Sequence, residues 1–203
     1  MKKGCLISLT GFDGVGKSTQ VKLLENFLKV KGKKVYTTEA MFGYFLFKPL
    51  IKFLRTVTQS PIEGPVRRNS KLLFRLWFIP AFLDIWLGYI LKILPMLLRY
   101  DFLIADRFYT DMWANLLYYG YLPDWAFKTF IKLLPRPDKA FMLYVDPDTV
   151  QKREREFPSD YYKEQAEIYK KLPKYVDFYI IDAGKNPKIV FKAISKLLEI
   201  KKF

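Results

Sequence analysis

Apolar positions in this chain recur with two periods. Short runs at Leu6-Ile7-Ser8-Leu9, Val35-Tyr36-Thr37-Thr38, Asp101-Phe102-Leu103-Ile104-Ala105, Ala140-Phe141-Met142-Leu143-Tyr144-Val145 and Tyr179-Ile180-Ile181-Asp182-Ala183 read as five strands of a buried sheet. Between them apolar residues return every three or four positions. Val21, Leu24, Phe27 and Leu28 mark a helix after the first strand, and the segments Thr110 to Tyr119 and Asp124 to Leu134 pattern as two more. A helix starts at Asp146-Pro147, another runs from about Asp160 to Leu172, and Ile189, Val190, Ala193, Ile194, Leu197 and Leu198 outline an amphipathic closing helix. Alternation of this kind predicts an α/β fold, a parallel sheet with helices on both faces and right-handed crossovers.

The region between the second and third strands departs from this rhythm. Aromatic and aliphatic residues from Phe42 to Arg55 suggest a helix, while Thr58 to Asn69, with Pro61, Gly64 and Pro65, is a turn-rich connection ending in the basic pair Arg67-Arg68. Ser70 is placed to cap a long helix, or a broken pair, that runs to Arg99. Its most apolar part, Leu72 to Leu98, is interrupted by Arg75, Asp84, Lys92, Pro80 and Pro95, short of the roughly 18 uninterrupted apolar residues of a membrane span. The expectation is a buried helix, in the core or at a subunit interface, and no transmembrane segment.

Size and charge narrow the picture. The 203 residues form one domain, 1–203, and the 35 basic against 20 acidic residues leave a net charge of +15. Phosphorylated ligands, nucleic acid and anionic membranes all suit that charge. Histidine is absent, which removes imidazole bases, Ser-His and Cys-His nucleophiles and His-ligated zinc, so any chemistry falls to carboxylates, Lys, Arg and a metal. The single Cys5 cannot form an internal disulfide and reads as a core residue, and Met1-Lys2-Lys3-Gly4 leaves no room for a signal peptide before the first strand. Both point to a cytoplasmic protein.

One motif gives the pattern a chemistry. Gly11-Phe12-Asp13-Gly14-Val15-Gly16-Lys17-Ser18-Thr19 fits G-x-x-x-x-G-K-[ST] between a strand and a helix. Glycines there let backbone N–H groups turn inward toward an anion, and the helix dipole adds to the field. Lys17 would set a point charge against the outer phosphates, the Ser18 hydroxyl would ligate Mg²⁺, and Thr19 would help cap the first helical turn. Two strand ends add acids. Glu39 follows the second strand and Asp106-Arg107 the third, where open α/β sheets bind ligands, so Asp106 is a metal candidate and Arg107 a phosphate contact.

With these blocks the chain resembles the thymidylate kinases, among the P-loop nucleoside monophosphate kinases. The likeness is carried by Thr10 to Gln20, Ala105-Asp106-Arg107-Phe108, Arg136-Pro137-Asp138 leading through Val145-Asp146 to Lys152-Arg153, and Ile181-Asp182-Ala183. It implies a five-stranded parallel sheet with a small helical lid near residues 152–162 and an acceptor region near 40–100. It further implies ATP with Mg²⁺ as donor, transfer to dTMP or a related nucleotide to give dTDP and ADP, nucleotide substrates and a homodimer. Gly11, Asp13, Gly14, Val15, Gly16, Lys17, Ser18, Thr19, Asp182 and Ala183 then fall to the donor nucleotide. Asp13, Glu39, Asp106, Arg107 and Asp111 fall to the acceptor side, with Asp13 on the sugar hydroxyl.

Some members carry a catalytic arginine after the acid of the phosphate loop, where this chain has Gly14, so the resemblance assigns that role to the lid. Arg153 and Arg155 are the candidates, with Arg155 nearer the break at Phe157-Pro158. Other positions depart from the family pattern. The R-E-P segment is Thr38-Glu39-Ala40 here, Phe108 replaces a tyrosine, Asp111 stands where serine is common, and Asp84 and Trp86 lie where an arginine is expected. Two rival readings follow: a kinase acting on a hydroxyl, with Glu39 as base as in deoxynucleoside kinases, and a nucleotide-dependent binding module. The second lacks an N-K-x-D signature and an RNA-binding motif, and no nucleic-acid partner is expected.

Overall fold

A computed structural model describes residues 4–39, 52, 56, 77–153 and 157–199. Five strands, β1 (Cys5–Thr10), β2 (Val35–Thr38), β3 (Phe102–Asp106), β4 (Lys139–Tyr144) and β5 (Tyr179–Asp182), form one sheet. Their order is β2-β3-β1-β4-β5, and every neighbouring pair is parallel. This is the P-loop NTPase fold. The chain runs outward from β1 on one side to β3 and β2 and on the other to β4 and β5, so a crevice opens beyond the carboxyl end of β1.

The central strands are apolar because both their faces are covered. Leu6, Ile7, Leu9, Leu103, Ile104, Phe141 and Leu143 are buried in a single core. Helix α1 (Lys17–Val30) inserts Val21, Leu24 and Leu28 into that core, at the spacing the sequence displays. Lys29-to-Glu25 pairing and the turn at Lys31-Gly32 close it. The remaining helices are α2 (Phe78–Arg99), α3 (Tyr109–Tyr118), α4 (Asp124–Phe130) with a 3₁₀ turn at Ile131–Leu133, α5 (Pro147–Arg153), α6 (Ser159–Tyr169) and α7 (Pro187–Glu199).

Helix α2 is part of the long helix expected here, and only its burial within the chain's own core is corrected. It is one helix whose turn at Tyr89–Ile93 is π-helical. That turn contains Leu91, four residues before Pro95, where a proline ring clashes with the carbonyl in a regular helix; a wider turn relieves the clash. Phe78, Ala81, Ile85, Ile93 and Leu97 are buried, but Ile79, Leu83, Trp86, Ile90, Leu91 and Leu98 are exposed, so the helix is half-buried and not interior. By length and composition it could cross a membrane, yet its inner face is packed into the core of the sheet domain. The helix expected from Phe42 to Arg55, the connection to Asn69 and the Ser70 cap lie outside the described residues, apart from Lys52 and Thr56.

Candidate active site

The phosphate loop begins where β1 runs out. Gly11 has to be glycine, because a Cβ there would lie 2.6 Å from the Leu143 carbonyl oxygen on β4. Gly16 starts α1 with φ +90° and no side-chain cap, and a Cβ built on it meets nothing within 4 Å. Thr19 therefore does not cap the first turn as expected. Ser18 and Thr19 are exposed in the first helical turn, whose N–H groups have no side-chain cap from Gly16.

Lys17 is buried, and its Nζ donates to the Phe12 carbonyl across 2.8 Å. An ammonium has three donors, so two remain for phosphate oxygens. Burial, and after it the charge of Arg107, pull the lysine down to about 8, against the opposing pull of Asp111, Asp13 and Asp106.

Asp13 gathers the second layer of the site. Its Oδ1 accepts from Arg107 at the end of β3, and its Oδ2 accepts from the Tyr161 hydroxyl of α6 at 2.6 Å. Burial pushes the Asp13 carboxyl up, but the Arg107 charge and the hydrogen bonds from Tyr161 and Arg107 outweigh it and hold the group below its ordinary value. Arg107 resists burial through the same pairing and lies further above its usual range. Its backbone is left-handed, φ +68°, a conformation that costs a non-glycine residue roughly 1 kcal/mol. Glu39 stands on the other side of this guanidinium, its Oε1 3.9 Å from Nε.

Asp106 supplies a test of the expected metal. Its Oδ1 is buried and has no hydrogen-bond partner. A carboxylate oxygen left so at a strand end, and an exposed serine hydroxyl in the first turn of α1, are oxygen donors of the kind a hard divalent cation takes. The residues fit Mg²⁺.

Asp111 is corrected. It is fully buried, and its oxygens accept from Thr10 Oγ1 (2.9 Å), Gly11 N (3.1 Å), Phe108 N (2.9 Å) and Tyr169 Oη (3.0 Å). Instead of meeting substrate, it ties the root of the phosphate loop to the β3–α3 corner and to α6. Burial pushes its carboxyl up, against the two backbone amides and the charges of Lys17 and Arg107.

At the end of β5, Asp182 accepts from Gly184 N through Oδ1 and pairs with Lys185 at 3.6 Å, and Ala183 N donates to the Tyr144 carbonyl. Arg153 at the end of α5 donates to the Gly184 carbonyl over 3.1 Å, so here it engages the β5–α7 loop and not the phosphate loop. Arg155 lies outside the described residues, as does Ala40. Two site residues were not read from the sequence. Tyr161 and Tyr169 lie on an amphipathic helix whose Tyr162 and Ala166 are also buried, so the sequence pattern alone does not single out the two hydroxyls that reach Asp13 and Asp111.

Over most of its length the chain is similar in sequence to thymidylate kinases. The chain is 26% identical to a thymidylate kinase of Hahella chejuensis over 99% of both chains. It is 28% identical to the thymidylate kinase of Thermosipho africanus, covering 95% of this chain and 96% of that one. A probable thymidylate kinase 1 of Saccharolobus solfataricus is 26% identical over 96% of each. No protein-family model matches the chain.

Proposed function

We propose that this thymidylate kinase-like chain is an ATP-dependent nucleoside monophosphate kinase, converting dTMP and ATP, or a closely related nucleotide and ATP, to the diphosphate and ADP. The observation that carries the reading is the contact between Arg107 and Asp13, because it joins the acceptor-side arginine of β3 to the donor phosphate loop.

An acceptor phosphate is already largely ionised at neutral pH, so no general base is needed. One of its oxygens attacks the γ-phosphorus, and the bond from that phosphorus to the β–γ bridging oxygen breaks with its electron pair going to ADP. Charge spreads over the transferred oxygens, so the protein's work is position and fixed positive charge. Lys17 would hold the outer phosphates with its two spare donors, and Arg107 would hold the acceptor phosphate. Asp13 keeps a second acceptor site on each oxygen for the sugar hydroxyl. Ser18 and Asp106 would hold Mg²⁺, which when bound neutralises charge on the phosphate oxygens. Asp182 and Ala183 would border the donor base, and a lid arginine, Arg155 in this reading, would reach the transferred group.

The test is ATP consumption with Mg²⁺ across nucleoside monophosphates and nucleosides. Turnover of dTMP or a sister nucleotide, lost in a folded Lys17→Ala variant, is the expected result. Glu39 motivates a second reading, since it sets a carboxylate, about half exposed, beside Arg107. Turnover of an unphosphorylated nucleoside that disappears in Glu39→Gln would select that hydroxyl-acceptor kinase.

A further inference from the structure

Three consecutive residues at the start of the phosphate loop are fastened to different parts of the fold. Gly11 N donates to Asp111, and the Asp13 carboxylate accepts from Arg107 and Tyr161. Phe12, between them, is anchored by its ring alone. That ring is 1% exposed and lies edge-on to Tyr144, at the end of β4, and to Tyr169 on α6. Both tyrosine centroids stand 6.3 Å from that of Phe12, at interplanar angles of 72° and 60°, the range in which edge-to-face rings attract.

The two tyrosines are themselves held. Tyr169 is buried and its hydroxyl donates to Asp111 at 3.0 Å, while the Tyr144 carbonyl accepts from Ala183 N at 2.8 Å. The partners of the Phe12 ring thus belong to the sheet and to a packed helix, outside the loop.

Beyond Asp13 the loop turns through Gly14 at φ +79°, a left-handed conformation that carries no side chain to anchor it. Order in the loop therefore comes from its few buried side chains, chiefly Phe12 and Val15. Phe12 has a further importance, because its carbonyl is the atom that takes the Lys17 ammonium at 2.8 Å. Ring and carbonyl hang from the same Cα. A ring fixed against Tyr144 and Tyr169 limits the rotation that would swing the carbonyl, and with it the ammonium, out of line.

We infer that Phe12 is a positioning residue for phosphoryl transfer: its ring, set between Tyr144 and Tyr169, fixes the carbonyl that orients the Lys17 ammonium toward the donor phosphates. The inference rests on the reading that this loop takes a triphosphate. A lysine stem is flexible, so one donor tied to a fixed carbonyl is what gives the other two defined directions. Misplacement of such a group by about 1 Å can cost about a hundredfold in rate, which lets an apolar ring that touches no substrate matter to the reaction. A phenylalanine serving only as filling would weaken the fold whatever stands at position 17. One that works through Lys17 affects nucleotide binding only while Lys17 is present.

Two measurements on the full chain separate these cases. In the first, acetic anhydride labels Lys17 from about pH 7 to 11 without nucleotide, and the modified peptide is quantified by mass spectrometry. Phe12→Ala should let the amine titrate nearer the ordinary 10.5 and raise its limiting acylation rate about fivefold or more. Phe12→Leu, which keeps most of the volume, should stay within about twofold of wild type. In the second, ATP with Mg²⁺ is titrated calorimetrically into wild type, Phe12→Ala, Lys17→Met and the double variant. Phe12→Ala should weaken binding about tenfold or more in the wild-type background and less than about twofold in the Lys17→Met background. Should Phe12→Ala fail to fold by circular dichroism, Tyr144→Leu, at a half-buried position, replaces it in both measurements with effects in the same direction. Unchanged Lys17 labelling in the folded variants would overturn the inference, and so would equal loss of ATP affinity in both backgrounds. A wild type that binds no ATP would remove the kinase reading and leave the labelling to decide the role of Phe12.

Discussion

The Tyr161 hydroxyl and the Asp13 carboxylate, 148 residues apart in the chain, meet across 2.6 Å. Helix α6 is thereby fastened to the phosphate loop through the same carboxylate that takes Arg107.

Tyr161→Phe keeps the ring stacked on Phe157, at 4.4 Å, and deletes only the donor. A hydrogen bond to a charged group contributes about 1.5–3 kcal/mol when buried, and Asp13 is partly exposed, so a loss of about 1 kcal/mol in urea unfolding is expected at neutral pH. Because the Asp13 pKa is depressed in the folded state, the stability from its partners is present above its ordinary value near 3.8 and is lost as pH falls through the folded value. The difference between wild type and variant should therefore shrink in acid. In turnover assays the acceptor KM should rise several-fold while ATP affinity stays within about twofold; equal weakening of both would remove Tyr161 from the acceptor side.

Asp111 is a sharper stability probe. Gly11 N donates to one of its oxygens and Phe108 N to the other, so an asparagine in either flip must turn its NH₂ toward a backbone N–H. Asp111→Asn should cost about 2 kcal/mol, and Asp111→Ala, which strands the Gly11 N, Phe108 N and Tyr169 Oη donors, about 3 kcal/mol or more. Denaturant midpoints check both. A cost below about 1 kcal/mol for the alanine variant would mean that the loop root is held by other contacts.

The sheet and the phosphate loop were legible in the sequence because local rules decide them. Leu6 to Leu9 is apolar on both faces, and Gly11, Gly16, Lys17 and Ser18 sit at fixed offsets. Asp111 was misread because an acid five residues after a strand end looks the same whether it faces substrate or backbone amides; only the three-dimensional return of Thr10 and Tyr169 distinguishes the two. The half-exposure of α2 was illegible for a related reason: a helix apolar all round reads as buried, and the sequence carries no mark of what covers each face.

Asp106 separates function from stability. Its buried Oδ1 lacks a partner, but its charge also attracts the buried Lys17 ammonium, so the two effects of Asp106→Asn oppose each other and unfolding stability should change by no more than about 1 kcal/mol. The same variant should need more than about tenfold higher Mg²⁺ for half-maximal turnover, and Ser18→Ala should act in the same direction. Unaltered Mg²⁺ dependence in both would move the metal away from these residues.

Lys17 carries opposite predictions for the free protein and for nucleotide binding. Its folded pKa, about 8, lies below the ordinary 10.5, so between these values the unfolded chain holds a proton that the folded chain has lost, and stability rises with pH across that window. Below about pH 8 the buried ammonium costs up to about 3 kcal/mol, so Lys17→Met should unfold at higher urea than wild type at pH 7, with the gap closing toward pH 10.5. Triphosphate favours the ammonium, so ATP affinity should fall as pH rises past about 8, by up to tenfold per unit. Isothermal titration of the wild type from pH 7 to 9.5 checks this against Lys17→Met, whose weak binding should be flat over the same range. A wild type as flat as the variant would show that the Lys17 ammonium does not face the bound phosphates.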